Sequence, residues 1–140
     1  MPITENQIRI YFKWQDAFTV SGGLFGGGKQ KANGSWKLAY EKACVLFNIG
    51  HAYSESAFAQ NTAIDEQMKA ALKSFQLASG IFSFLKDYVN ANSLSDLSAD
   101  FEPAVLASIS WLMLAQAAEL IHLKSASMKG SSNYLLHRLV

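Results

Sequence analysis

The chain has 140 residues, half of them hydrophobic and only 16% charged, with a formal net charge of +1. That balance excludes disorder, which needs low hydrophobicity and high charge, and it lacks the basic field of a nucleic-acid binder. A single cysteine, Cys44, excludes an internal disulfide and fits a reducing compartment, and MPITENQIRI has no apolar core of a secretory signal.

In chain order, Gln7 to Trp14 sets Ile8, Ile10, Phe12 and Trp14 against Arg9, Tyr11 and Lys13. This period of two with β-branched and aromatic residues predicts a strand. No other segment carries a comparable signal, so its partners are expected outside this sequence, because a lone strand leaves its backbone groups unpaired. Ser21 to Lys31, with five glycines in SGGLFGGGKQK, predicts a loop.

Three long helices are predicted next. The first, from about Ser35 to Gln60, is apolar almost all round (Trp36, Leu38, Val45, Leu46, Phe47, Ile49, Phe58), as expected of a helix packed on two sides. The second starts at Thr62-Ala63-Ile64-Asp65, with threonine as cap and a carboxylate in the first turn. Its stripe of Met68, Ala71, Leu72, Phe75, Ala78, Phe82, Leu85 and Val89 keeps helical spacing until the polar run Asn90 to Ser95. The third has Pro103 in its first turn and runs to roughly Ser127, where Gly130-Ser131-Ser132-Asn133 is expected to break it. Its apolar run from Pro103 to Leu123 approaches membrane-span length, but Gln116, Glu119, His122 and several serines favour a packed helix. Short connections make the helices antiparallel neighbours, giving a mainly all-α fold of repeat-like antiparallel long helices with one N-terminal strand segment. The lone strand and the uncovered last stretch, Tyr134 to Val140, both suggest a piece of a larger domain.

The candidate chemistry is thin. Gly23 to Lys29 has P-loop spacing up to the lysine, but Gln30 stands where Ser or Thr should hold Mg²⁺, and no apolar strand ending in Asp follows. Nucleotide hydrolysis through residues 23–29 is therefore the rival reading, not the leading one. A better use of the loop is contact: Leu24 and Phe25 lie between glycines, with Lys29, Lys31 and Lys37 close behind, which suits an anionic membrane or a partner's pocket. The alternative is that both side chains fold back onto the helices. Glu119 and His122 have Glu-x-x-His spacing, yet no second such pair exists to complete a di-iron site. His51 and Glu55 share a helix face and more simply bond each other or solvent, and Cys44 in KACVLFNIG reads as a core residue. No catalytic residue, metal or cofactor is expected.

Five blocks carry a resemblance. Pro2 to Gln7 with Phe12 to Phe18, the loop GGLFGGG, Tyr40 to Asn48, Phe75 to Gly80, and Leu112 to Ala117 followed by Glu119 are similar to the Bro ("Bro-one") domain of ALIX-type proteins, the programmed cell death 6-interacting protein family. The blocks come in the family's order over roughly residues 2 to 126, so the chain resembles a central fragment, with 1–128 as partial domain and 129–140 as divergent tail. The resemblance implies a curved helical scaffold acting without catalysis as an adaptor of the ESCRT pathway and multivesicular-body formation, cytoplasmic and peripheral on endosomes. It implies as partner the C-terminal amphipathic helix of an ESCRT-III subunit, gripped in a groove where Asp65, Lys69 and Ile121 would stand. Ile121 departs from the larger aromatic usual there. It also assigns Leu24 and Phe25 to weak contact with anionic, lysobisphosphatidic acid-like endosomal lipid. Because the family's next helix is not matched, a truncated product without independent function is a further alternative.

Overall fold

In the computed structural model, which describes Gln7, residues 9–21 and residues 29–137, a β-hairpin is followed by three long helices. The elements are β1 (Phe12–Ser21), β2 (Lys29–Ser35), α1 (Leu38–Phe58), α2 (Asp65–Ala91) and α3 (Pro103–His137). Two single 3₁₀ turns, Ser95–Leu97 and Ala99–Phe101, connect α2 to α3.

The expected strand exists, but it begins at Phe12, reaches Ser21 and has its partner within the chain: β1 pairs antiparallel with β2. The sequence KQKANGS gives no strand signal of its own, because its pairing is imposed by the backbone row of β1 rather than by an apolar face. Register runs from Phe12 opposite Ser35 to Gln15 opposite Ala32, then slips to Val20 opposite Gln30, so Asp16 to Thr19 face the single residue Lys31. This bulge bends β1. Strand β2 also bears on the nucleotide reading: a P-loop lysine opens a helix, whereas Lys29 opens an antiparallel strand.

Helix α2 is the centre of the packing. Of its predicted stripe, Ala71, Phe75, Ala78, Phe82, Leu85 and Val89 are buried and Met68 and Leu72 half-buried. On one flank, Phe47 meets Phe82 and Phe58 meets Phe75, so α1 runs antiparallel to α2. Gly50 sits under Phe82, where a Cβ would come within 2.8 Å of the ring. On the other flank, α3 buries Leu106, Ser110, Met113, Ala117 and Leu120, a 4-3-4-3 spacing that makes one narrow seam. Ser110 Oγ donates to the Ser79 carbonyl oxygen at 3.0 Å, a close crossing that only small residues allow.

Three expectations are corrected. Helix α1 packs on one side, through Tyr40, Ala43, Cys44, Gly50, Ser54 and Ala57, and leaves Trp36, just before it, and Val45, Ile49 and Phe58 exposed. Thr62 does not cap α2: the helix starts at Asp65, while Gln67 Oε1 reaches back to accept the Asn61 amide at 2.8 Å. Gly130 to Asn133 do not stop α3, whose backbone continues to His137, since each such residue costs no more than about 1 kcal/mol in an established helix. The predicted end of α2 holds. Ser93 takes the left-handed conformation (φ 50°), and the Leu94 and Ser93 amides donate to the carbonyls of Val89 and Asn90 at 3.1 and 3.3 Å. This Schellman arrangement turns the chain so that Leu94 is fully buried.

Candidate functional site

Antiparallel packing brings the first turns of α2 beside the later turns of α3. There Met68, Lys69, Leu72, Leu120, Ile121 and Lys124 line a shallow depression of about 60 Å³. Leu120 is buried beneath it, while Ile121 is 52% exposed and offers its apolar surface to solvent. Asp65 stands at the rim. Lys124 Nζ donates to Asp65 Oδ1 at 2.5 Å across the two helices, and Lys69 Nζ lies 3.0 Å from Oδ2. Lys69 also donates to Glu66 at 2.9 Å. The Lys124 bond, then the Lys69 bond, hold the Asp65 carboxyl below its ordinary range, and Glu66 with Asp65 raises the Lys69 ammonium. The arrangement is an apolar slot with a charged rim that is already paired, suited to one or two aliphatic anchors of an amphipathic helix.

Asp65, Lys69 and Ile121, named from sequence, therefore share one slot. Sequence reasoning missed Lys124 and took Met68 and Leu72 for core only. The available signal was spacing: Met68 and Leu72 follow Asp65 by three and seven residues, and Lys124 follows Ile121 by three. Leu24 and Phe25 lie outside the described residues.

Elsewhere the chemistry stays sparse. No group of three or more His, Cys, Asp or Glu that could hold a metal occurs among the described residues. Cys44 is buried, and burial pushes its thiol up to about 12, so it is a protonated core group. Helix α3 is long and apolar enough over Pro103–Met128 to cross a membrane by length and composition, yet its seam is packed on α2. A second groove, about 340 Å³, runs between α1 and α3 over Phe82, lined by Phe47, His51, Ile109, Leu112 and Met113. No sequence signal marked it, because it arises only where two helices flank a third.

Comparison with known proteins fits this architecture. The family model for the BRO1-like domain matches residues 1–140. The chain belongs to the BRO1-like domain family. Programmed cell death 6-interacting protein of Xenopus laevis is 46% identical over 128 residues, 91% of this chain but 14% of that protein. Vacuolar protein-sorting protein bro1 of Aspergillus fumigatus is 34% identical over 134 residues, covering 96% of this chain and 12% of the relative. Among solved structures, an ALIX BRO1–CHMP4C complex superposes with TM-score 0.73 at 43% identity, over 91% of this chain and 35% of that one. ALIX in complex with the SIVmac239 PYKEVTEDL late domain gives TM-score 0.75 at 42% identity, over 92% and 18%. This BRO1-like chain thus spans about one seventh of the length of the curated relatives it matches.

Proposed function

We propose that this BRO1-like chain is a non-enzymatic adaptor module of the ESCRT pathway that binds the C-terminal amphipathic helix of an ESCRT-III subunit in the α2–α3 slot. The observation that carries the reading is the meeting of Asp65, Lys69 and Ile121 around one apolar depression, in a fold similar to a BRO1 domain solved with CHMP4C. Ile121 would be the apolar anchor. Asp65 and Lys69 would take polar groups of the incoming helix, exchanging their present pairings with Lys124 and Glu66. Residues 1–128 carry every contact of this reading, and residues 129–140 none.

The proposal includes a second, weaker contact, in which Leu24 and Phe25 dock on anionic, lysobisphosphatidic acid-like lipid. Two such side chains contribute about 2 kcal/mol each when buried, and each nearby lysine about 1 kcal/mol, which amounts to reversible docking. The corresponding location is cytoplasmic and peripheral on endosomes, and family relatives bearing sorting names support it.

The test is titration of a fluorescent peptide from the CHMP4C C-terminal helix. Asp65→Ala and Ile121→Asp should each weaken binding; wild-type affinity in both removes these residues from the site. Co-sedimentation with anionic vesicles tests the loop, and unchanged sedimentation of Phe25→Asp refutes that contact.

A further inference from the structure

The slot between α2 and α3 is crossed by one of its own side chains. Lys124 stands on α3 among the lining residues, and its ammonium donates to Asp65 Oδ1 of α2, on the facing helix, at 2.5 Å. Among the described residues this is the ion pair that joins two helices; Lys69 with Asp65 and Glu66, and Lys86 with Asp87, pair within α2. The Lys124 side chain is 39% exposed against 56% for Lys69, because its stem lies along the slot instead of standing out in solvent.

The space left open is about 60 Å³. An apolar cavity that accepts a benzene-sized group measures about 150 Å³. With the Lys124 bond in place, the slot is thus smaller than the apolar anchor it has to receive, and a wall has to move. Leu120 is buried in the packing of α3 on α2 and stays. Lys69 is held twice, by Asp65 and by Glu66. Lys124 is held once, and its release leaves no buried charge unpaired: Asp65 keeps Lys69 at 3.0 Å, and the freed ammonium returns to water. Lys124 is therefore the movable wall.

We propose that Lys124 is a latch on the slot: bonded to Asp65 it keeps the slot narrow and competes with the incoming helix for Asp65 Oδ1. The latch opens when a helix brings its own hydrogen-bond donor to that oxygen beside its apolar anchor. This rests on the reading of the α2–α3 slot as the ESCRT-III site and adds its regulation. The latch tunes binding without forbidding it, since an exposed ion pair of this kind shifts an equilibrium by about two- to fivefold.

The experiment titrates the whole chain into the labelled CHMP4C helix peptide, followed by anisotropy. The variants are Lys124→Met, Lys124→Gln, Asp65→Ala, Ile121→Asp and the double variant Lys124→Met/Asp65→Ala. Lys124→Met keeps an apolar stem and removes the ammonium, so it should bind about two- to fivefold more tightly than wild type. Lys124→Gln, which retains a weaker donor for Asp65, should lie between and carries the same test if Lys124→Met aggregates. Asp65→Ala alone weakens binding, because it removes the acceptor the partner needs along with the latch. Adding Lys124→Met to Asp65→Ala should change affinity by less than about 1.5-fold, since nothing remains to unlatch. In about 1 M salt wild type and Lys124→Met should converge, as screening opens the latch in both. Unchanged affinity in Lys124→Met and Lys124→Gln overturns the proposal, and weaker binding overturns it by marking Lys124 as a direct contact. A gain that persists in the Asp65→Ala background also overturns it, because Lys124 then acts through general repulsion of the peptide. Wild-type affinity in both Asp65→Ala and Ile121→Asp overturns the slot reading and the latch together, whereas the other failures leave the slot standing.

Discussion

Replacing Ile121 by Ala tests the slot with a magnitude the structure supplies. Full burial of an isoleucine side chain contributes about 1.5–3 kcal/mol. Ile121 is 52% exposed in the free chain, so about half of that burial remains to be gained on docking. Truncation should therefore cost about 1 kcal/mol of affinity, roughly fivefold in Kd. Ile121→Asp should cost more, about 2–3 kcal/mol, because a carboxylate desolvated against an apolar anchor is compensated only in part by the adjacent Lys124. Neither change should shift folding stability by more than about 0.5 kcal/mol, since an exposed side chain contributes little to the core. Fluorescence anisotropy of the labelled helix gives Kd, and thermal unfolding by circular dichroism gives stability. Affinity of Ile121→Ala within twofold of wild type refutes Ile121 as an anchor. A loss of affinity matched by a fall in stability refutes the premise that its surface is free.

Gly50→Ala sets helix propensity, up to about 1 kcal/mol in favour, against overpacking of about 1–3 kcal/mol. With Phe82 buried and held by Phe47, the clash should prevail and urea unfolding should show a loss near 1 kcal/mol; a gain would mean the ring yields freely. Ser93→Gly should stabilise the chain by about 0.5–1 kcal/mol, because glycine removes the strain of a left-handed residue; lower stability on calorimetry would contradict it. Asp65 should titrate below the ordinary carboxylate range by NMR, and Lys124→Met should raise its midpoint. Its pKa is depressed on folding, so the stabilising pairing is present above the ordinary carboxylate pKa and is lost as pH falls through the depressed value. A midpoint unmoved by Lys124→Met would show that the cross-helix bond is not formed in solution.

The α2 stripe was legible because burial on a helix repeats every three to four residues, and six of its eight predicted positions are buried. Helix count, connection order and family resemblance were legible for the same reason: they are carried by local runs of residues. Strand β2 was not, since KQKANGS has no alternation, and its partner row became available only when β1 folded against it. Likewise the exposed face of α1 could not be told from a buried one, because apolar content alone does not say which neighbour arrives. The slot was half legible: resemblance supplied Asp65, Lys69 and Ile121, while Lys124, 59 residues beyond Asp65, required the antiparallel packing of α2 on α3.

The sequence by itself determined the three helices, the core stripe of α2 and the family. Tertiary structure alone decided the hairpin, the hydrogen bonds from the Ala17 and Phe18 amides to Asp100 and the charged rim of the slot. The physical reason is range. Periodicity and turn chemistry act between neighbours along the chain, whereas Asp100 meets Ala17 only after α1 and α2 have closed the intervening 83 residues.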